Sequence, residues 1–307
     1  YEVDLRCDLI RLSRRSMSAR NRRPHVLVIV DDPKRKLELI RFRSWFSQNR
    51  GVVTVCELID RDLIAEDIDR EGKFKAAQEL MRSEDLAVFS EVDVVNDVVE
   101  GIVNVSQANG IAGFASNTIV LGWPKDPNKM VKFFETPRRL ERIRKSVVIG
   151  KINPQQMFST RKGIPRIHVW WGGLRQNGDL MLLLAYLLTR NPEWRGAEIS
   201  VLSAASNEFA QQSTNKYLQD MLRETRIEAS CDVFLKTPDK SINEFIQTKS
   251  AGADVVFLGL ATPEQGHELD YVKRLEDLVG ELPVVFFVKN SSLFVGKLLQ
   301  PEDIEPT

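Results

Sequence analysis

The side chains best suited to metal chemistry are few and scattered in this sequence of 307 residues. Its three histidines, His25, His168 and His267, lie far from one another and from any cysteine. A structural zinc site requires four ligands, usually in closely spaced pairs, and no such pair occurs here. We therefore predict no metal site.

The cysteines are equally poor candidates for catalysis. Cys7, Cys56 and Cys231 are widely spaced and form no C-x-x-C pair, a pattern typical of a reducing compartment rather than of a disulfide framework. Cys56 and Cys231 fall on predicted strands, where a buried cysteine behaves as a small inert hydrophobic residue. No G-x-S-x-G nucleophile elbow follows a strand. We therefore predict no catalytic residue and do not expect an enzyme.

One pair of segments is placed where a phosphate group can bind. Asp31 and Asp32 follow the opening predicted strand, and Gly122 ends the fourth, with Trp123 directly after it. Parallel sheets bind ligands at the carboxyl ends of their strands, where helix N-termini attract anions. We predict these four residues as a nucleotide pocket. No motif in the sequence identifies a cofactor, and ATP or ADP is the candidate ligand for this pocket.

A second glycine-rich segment runs from Gly172 and Gly173 to Gly178 and Asp179, between a strand and a helix. It is not a Walker loop, because no Gly-Lys-Ser/Thr follows. We interpret the glycines as a flexible turn. Asp179 is then the expected N-cap of a helix that Asn191–Pro192 ends.

The elements that position these segments alternate along the chain. Short β-branched apolar runs are separated by stretches of helical period, which is typical of parallel sheets covered on both faces. The runs are 25–30, 52–58, 88–95, 118–122, 147–149, 167–171, 197–202, 229–235, 254–258 and 283–288. The helices are expected at 35–48, 73–86, 98–109, 128–144, 179–190, 207–225, 241–250 and 268–279. The predicted fold class is α/β, doubly wound.

The two halves of the sequence repeat one another. The fourth strand is TIVLG (118–122) in one half and VVFLG (255–259) in the other, and the fifth is VVIGK (147–151) against VVFFVK (284–289). Corresponding strands lie roughly 140 residues apart, as expected from duplication of a domain-sized unit. We predict two tandem subdomains, 24–152 and 164–300, with a break at 153–163 and a preceding linker at 1–23.

Charge and hydropathy exclude further classes of protein. Lys+Arg and Asp+Glu both number 43, whereas a nucleic-acid-binding domain normally carries a basic surplus. No apolar run approaches the roughly 20 residues that span a bilayer. Between residues 11 and 23 there are six arginines and no acid: Arg11, Arg14, Arg15, Arg20, Arg22 and Arg23. We interpret this stretch as a connector, with contact to anionic lipid as the alternative.

Tandem α/β units with five parallel strands each resemble the universal stress proteins. Members of that family that bind ATP carry the pattern G-x2-G-x9-G-S/T after the fourth strand. Here the third residue after Gly122 is Lys125, and the third after Gly259 is Thr262, so neither half completes the pattern. A free-standing tandem stress-type protein that binds nucleotide is our main alternative. An α/β enzyme of unknown reaction is a third hypothesis.

Five segments in order resemble a narrower family, the C-terminal cytoplasmic domain of the cation–chloride cotransporters. They are RPHVLVIVDDP (23–33), QANGIAGFASNTIVLGWPKD (107–126), HVWWGG (168–173), LLLAYLLTRNPEWRGAEISVL (182–202) and RIEASCDVF (226–234). NTIVLGWP and RIEA are most similar to the potassium–chloride branch. Long inserts that carry regulatory phosphorylation sites in eukaryotic members are missing around 236–241 and after Thr262, which indicates a prokaryotic relative.

This resemblance implies that the chain itself neither catalyses a reaction nor transports ions. The parent protein would move chloride with potassium, sodium or both by secondary active symport, through membrane helices absent from this sequence. The fragment would be a soluble regulatory and dimerisation domain at the cytoplasmic face of the membrane. Its partners would be a second copy and its own transmembrane domain, and not nucleic acid. The arginines before the first strand agree with a chain that leaves a membrane helix on the cytoplasmic side.

Overall fold

The computed structural model describes residues 25–47, 52–61, 67–111, 114–124, 127–159, 163–172, 175–236, 241–264 and 266–291. In the first half these form β1 (Val26–Val30), α1 (Leu37–Ser47), β2 (Val53–Asp60), α2 (Arg70–Ser83), β3 (Phe89–Val95), α3 (Val98–Ala108), β4 (Gly110–Ile111), β5 (Phe114–Ala115), β6 (Thr118–Gly122), α4 (Pro127–Phe133), α5 (Glu135–Arg142) and β7 (Ser146–Ile152). The Arg-rich stretch at 11–23 and the predicted linker at 1–23 lie outside the described residues.

The second half repeats this alternation. It contains α6 (Pro154–Ser159), β8 (Arg166–Trp170), α7 (Arg175–Thr189), β9 (Glu198–Ala205), α8 (Glu208–Thr225), β10 (Ser230–Leu235), α9 (Ile242–Ser250), β11 (Val255–Gly259), α10 (Glu268–Val279) and β12 (Val284–Lys289). A single 3-10 turn, Pro192–Trp194, follows α7 in the described part of the chain. The α/β class and nearly all of the predicted elements are confirmed.

One continuous ten-stranded sheet runs through both halves, in the order β10-β9-β8-β11-β12-β7-β6-β1-β2-β3. Within this sheet the strands of each half are parallel, and the halves meet at an antiparallel pair of their last strands, β7 and β12. The short strands β4 and β5 form a separate antiparallel pair. Each half thus has its strands in the spatial order third, second, first, fourth, fifth. The shared order agrees with duplication, which stays a prediction, as do the subdomain boundaries.

Helices cover both faces of this sheet, because the strand residues are apolar on both sides. Along β1, Val26, Val28 and Val30 face a core formed with α1, α2, α7 and α8. Leu27 and Ile29 face the opposite core, formed with α3, α4, α5, α9 and α10. The alternation follows from the two-residue period of a strand. None of the helices in the described ranges is long and apolar enough to cross a bilayer.

Two local predictions differ from the structure. The helix expected at 128–144 is divided into α4 and α5 at Phe134. Pro137 lies in the first turn of α5 and has no N–H with which to bond the carbonyl of Phe133, so a continuous helix is disfavoured. The predicted break at 153–163 contains α6, which begins at Pro154, a favourable first helical residue.

Candidate functional site

The predicted nucleotide pocket lies where β1 and β6 end side by side, with Ile29 opposite Leu121. Asp32 shapes the turn between β1 and α1: its Oδ1 accepts hydrogen bonds from the backbone N–H of Lys34 at 2.9 Å and of Arg35 at 3.2 Å. Its carbonyl accepts a third from the N–H of Lys36 at 3.1 Å. This carboxylate therefore orders the start of the helix, as an N-terminal cap does.

Lys36 lies across the end of β6. Its Nζ donates to the carbonyl oxygen of Trp123 at 3.3 Å, and a Cβ atom built on Gly122 would be 2.9 Å from the same Nζ. The glycine therefore faces a protein side chain at this edge. A phosphate group that approached Gly122 would have to displace the lysine or bind to its ammonium group.

Trp123 is part of the core rather than the wall of an open pocket. Its side chain is buried, with ring centroids 5.4 Å from Phe287 and 6.0 Å from Phe134, and the Nζ of Lys151 lies 5.7 Å from the ring. Asp31, Asp32, Gly122 and Trp123 lie together where the neighbouring strands β1 and β6 end. The nucleotide pocket itself stays a prediction: the buried indole leaves no open wall there, and a phosphate would meet the Lys36 ammonium group.

The corresponding edge of the second half is filled by Asn177. This buried side chain donates from Nδ2 to the carbonyl of Leu260 at 3.2 Å and accepts from the N–H of Asn290 at 2.9 Å. Its Nδ2 would lie 3.3 Å from a Cβ on Gly259. Asn177 thus takes the place over Gly259 that Lys36 takes over Gly122. Because β7 and β12 are antiparallel, the strands of the two halves run in opposite directions, and their carboxyl ends lie at opposite ends of the continuous sheet.

The expected capping role of Asp179 is wrong. The helix α7 begins at Arg175, so Asp179 is its fifth residue and not its N-cap. Asn177 fixes the first turn of this helix, because its side chain forms hydrogen bonds with the backbone of Leu260 and Asn290 at the ends of β11 and β12. Burial raises the pKa of Asp179 to about 6. The end of the helix at Thr189, just before Asn191–Pro192, is as predicted.

The glycines beside this helix have different roles. A Cβ on Gly178 would lie 2.6 Å from the indole of Trp171, so the absence of a side chain lets α7 pack directly on that ring. Gly172 has open space around it, as expected of a turn, and Gly173 lies outside the described residues. Trp170 and Trp171 are adjacent on the chain but belong to the two opposite cores, so both rings pack inside the protein.

Polar side chains join the two halves beside the β7–β12 pair. The Nζ of the buried Lys289 lies 3.1 Å from Glu141 Oε2 and donates to Thr262 Oγ1 at 2.5 Å. Arg138 donates to the carbonyl of Pro263 at 2.7 Å and lies 3.5 Å from Glu268. The first half supplies Arg138 and Glu141 of α5. The second half supplies Lys289 of β12, Pro263 of the loop after β11 and Glu268 at the start of α10. These contacts anchor one half to the other.

Aromatic rings join the halves on the opposite face. Phe42 of α1 lies 5.1 Å from Phe286 of β12 and 5.7 Å from Trp194, measured between ring centroids. Trp45 lies 5.7 Å from Trp194, and its carbonyl accepts a hydrogen bond from Asn191 at 2.7 Å. Because hydrophobic residues of both halves pack in the same two cores, we interpret the molecule as one rigid body rather than two hinged ones.

A serine and a histidine come within hydrogen-bond distance, but not in a form that favours catalysis. Ser250 Oγ lies 3.2 Å from His168 Nδ1 and accepts a hydrogen bond from the indole N–H of Trp170 at 2.9 Å. Ser250 is fully buried, so its hydroxyl has no access to a substrate. Burial, with the nearby charge of Arg166, lowers the pKa of His168. The contact satisfies buried polar groups within the core.

The comparisons with known proteins agree with the resemblance predicted from the sequence. Residues 128–237 match the family model described as Solute carrier family 12, which covers less than half of the chain. The fold is similar to the crystal structure of the cytoplasmic domain of a prokaryotic cation chloride cotransporter. That match has a TM-score of 0.66 at 20% identity and covers 91% of this chain and 99% of the other.

Two further solved structures share the fold. One is a universal stress protein from Archaeoglobus fulgidus DSM 4304, with a TM-score of 0.55, 16% identity, and coverage of 86% of this chain and 96% of that one. The other is a functionally unknown protein from Pseudomonas aeruginosa PAO1, with a TM-score of 0.55, 13% identity, and coverage of 87% and 92%. Together these matches confirm the resemblance to a cotransporter cytoplasmic domain with a universal-stress-protein-like fold.

Proposed function

We propose that this chain is the cytoplasmic regulatory and dimerisation domain of a secondary active cation–chloride symporter. The parent protein would move chloride with potassium, sodium or both, and this domain would transport nothing itself and catalyse no reaction. The observation that carries the proposal is the joint match: a Solute carrier family 12 model over residues 128–237, and the fold of a cotransporter cytoplasmic domain over 91% of the chain.

The packing of the described residues supports a mechanical role. The ends of β6 and β11, where sheets of this kind hold ligands, are occupied by Lys36 and Asn177. The β7–β12 pair and the contacts around Phe286 and Lys289 make both halves one unit. A rigid body can shift a transporter between states only by making different contacts in each of them.

The partners follow from the same proposal. The domain would lie at the cytoplasmic face of the cell membrane, attached to its own transmembrane domain, and would pair with a second copy. Light scattering on the isolated chain should then give twice the monomer mass of 35.0 kDa. A mass that stays at 35.0 kDa over the concentration range tested would contradict dimerisation by this domain alone.

The direct test is ion flux by the parent transporter. Chloride-dependent uptake of rubidium, a substitute for potassium, would be compared between the full-length protein and a version truncated before residue 24. We expect the uptake per copy at the cell surface to change on truncation, and the isolated chain to add no uptake. Identical uptake per copy with and without the domain would contradict a regulatory role. Absence of chloride-dependent uptake by the full-length protein would contradict the symporter assignment.

A further inference from the structure

Near the outer edge of the first half, a thiol lies beside two carboxylates. The parallel register sets Cys56 of β2 opposite Glu91 of β3, and Asp93 follows on the same face because side chains alternate along a strand. Cys56 Sγ lies 3.6 Å from Asp93 Oδ2. The donor atoms of all three residues lie within 4.8 Å of one another. This cluster takes no part in the contacts that join the two halves.

The distance between the thiol and one carboxylate of this cluster is close to the distance between neighbouring ligands of a tetrahedral metal ion. Bonds of about 2.3 Å to sulfur and about 2.0–2.2 Å to oxygen place neighbouring ligand atoms about 3.5 Å apart. The separation of 3.6 Å between Cys56 Sγ and Asp93 Oδ2 matches that value. Asn109, which follows α3, holds its side-chain amide 3.5 Å from Glu91 Oε2. Rotation of this amide by a half turn would place its oxygen, a metal-binding atom, where its nitrogen now lies beside Glu91.

Positive charge around the carboxylates is small. Within the described residues, Asp93 forms an ion pair with Arg70, whose Nη2 lies 3.6 Å from Asp93 Oδ1 and donates to the carbonyl of Val92 at 2.7 Å. No Lys or Arg of those residues forms an ion pair with Glu91. Burial and the charge of Asp93 raise the pKa of Glu91, and burial raises the pKa of the Cys56 thiol. A bound cation would relieve this repulsion.

A groove gives access to the cluster. A cavity of about 860 Å³ runs along β3 between α2 and α3, and Glu91, Asp93 and Asn109 line it. An ion can therefore reach the carboxylates from solvent, and there is room for a water ligand. The thiol lies at the inner end of the cluster, because Cys56 is fully buried.

We propose that Cys56, Glu91 and Asp93 bind a divalent transition-metal cation of the zinc type, with Asn109 or a water molecule completing a tetrahedron. The thiol selects such a metal, because sulfur favours zinc and its neighbours whereas carboxylates alone favour magnesium or calcium. On binding, the thiol releases its proton to water and its sulfur forms the bond to the metal. The sequence contains no closely spaced pair of cysteine or histidine ligands, and these donors come together only through the register of β2 and β3.

Cobalt is the probe for the first experiment, because a cobalt–thiolate bond produces a charge-transfer band in the near ultraviolet. The chain would be titrated with Co²⁺ under reducing conditions, and Zn²⁺ would then be added as competitor. We expect one equivalent of Co²⁺ to produce the band and Zn²⁺ to abolish it. The matched variants are Cys56→Ser and Cys231→Ser, each of which leaves the other two cysteines in place. The band should vanish in the first and persist in the second.

Carboxylate variants keep the test decisive if Cys56→Ser folds poorly. Glu91→Gln and Asp93→Asn alter side chains near the surface, and circular dichroism would check their fold. Each should weaken Zn²⁺ binding, measured by calorimetry, by more than the 10–100-fold that loss of an outer-shell partner costs. The absence of a charge-transfer band in the wild-type chain would overturn the proposal. So would a band that survives Cys56→Ser, or Zn²⁺ affinities left unchanged in both carboxylate variants.

Discussion

Phe286 is the residue whose loss should most clearly show that both halves share one core. Its side chain is fully buried in β12, with ring centroids 5.1 Å from Phe42, 5.6 Å from Phe46 and 5.4 Å from Phe257. Phe42 and Phe46 belong to α1 of the first half, and Phe257 belongs to the second. Phe286→Ala therefore removes contacts within and between the halves.

The expected cost of Phe286→Ala is about 4 kcal/mol in the free energy of unfolding, in the range for a buried phenylalanine that leaves a cavity. With an m-value of about 3 kcal/mol/M in urea, the midpoint falls by about 1.3 M. Unfolding would be followed by tryptophan fluorescence and by far-ultraviolet circular dichroism at one fixed protein concentration. We expect a single transition in which both signals coincide, for the wild type and the variant.

Phe209→Ala is the matched control, because the Phe209 side chain is 83% exposed at the start of α8. Its effect should stay within about 0.5 kcal/mol. Two separate transitions in the wild type, with Phe286→Ala shifting only one of them, would refute the shared core. The halves would then be independent domains whose contact adds little stability.

Three further predictions concern individual groups. Burial raises the pKa of Asp179 to about 6, so the free energy of unfolding decreases as the pH rises from about 4 to 6. Asp179→Asn should therefore raise the melting temperature at pH 8, by the equivalent of about 2 kcal/mol after discounting for partial exposure. At pH 4 the gain should be much smaller. An equal gain at both pH values would contradict this. Because Lys36 and Trp123 fill the end of β6, ATP should not raise the melting temperature of the wild type; a saturable rise would favour the stress-type alternative. Replacing Arg22 and Arg23 together by glutamine should weaken binding to phosphatidylserine vesicles about 30-fold, because each arginine contributes about 1 kcal/mol. Binding to vesicles of neutral lipid should not change. Equal binding of the wild type and this double variant to anionic vesicles would exclude Arg22 and Arg23 as a lipid contact.

The sequence predicts the strands and helices well, because a strand that is buried on both faces consists of a continuous run of apolar residues. All five residues of β1, VLVIV, are buried, and the helices between the runs pack on both sides. The continuous sheet was not predicted, although β7 and β12 carry a signal for it. Their apolar runs are charged only near the ends, at Lys151 and Lys289, whereas the edge strand β3, FSEVDVV, carries charges in its middle. Strands without protective charges are seldom left at an edge.

The candidate sites were harder to predict, because they depend on which side chains fill a given space. The sequence predicts that Trp123 lines a pocket, but its ring packs against Phe134 and against Phe287 from the other half of the chain. Glu91 meets Cys56 through the register of two strands, which an apolar pattern does not specify. A local motif locates a sheet edge, whereas tertiary packing decides whether that edge is open.

The most direct test of the central claim is the location and size of the native protein. Source cells would be separated into membrane and soluble fractions and probed with an antibody raised against this chain. A membrane-bound band far heavier than 35.0 kDa is the result that a cotransporter domain predicts. A soluble band near 35.0 kDa would contradict it and leave a free-standing protein, for which nucleotide binding would be the next measurement.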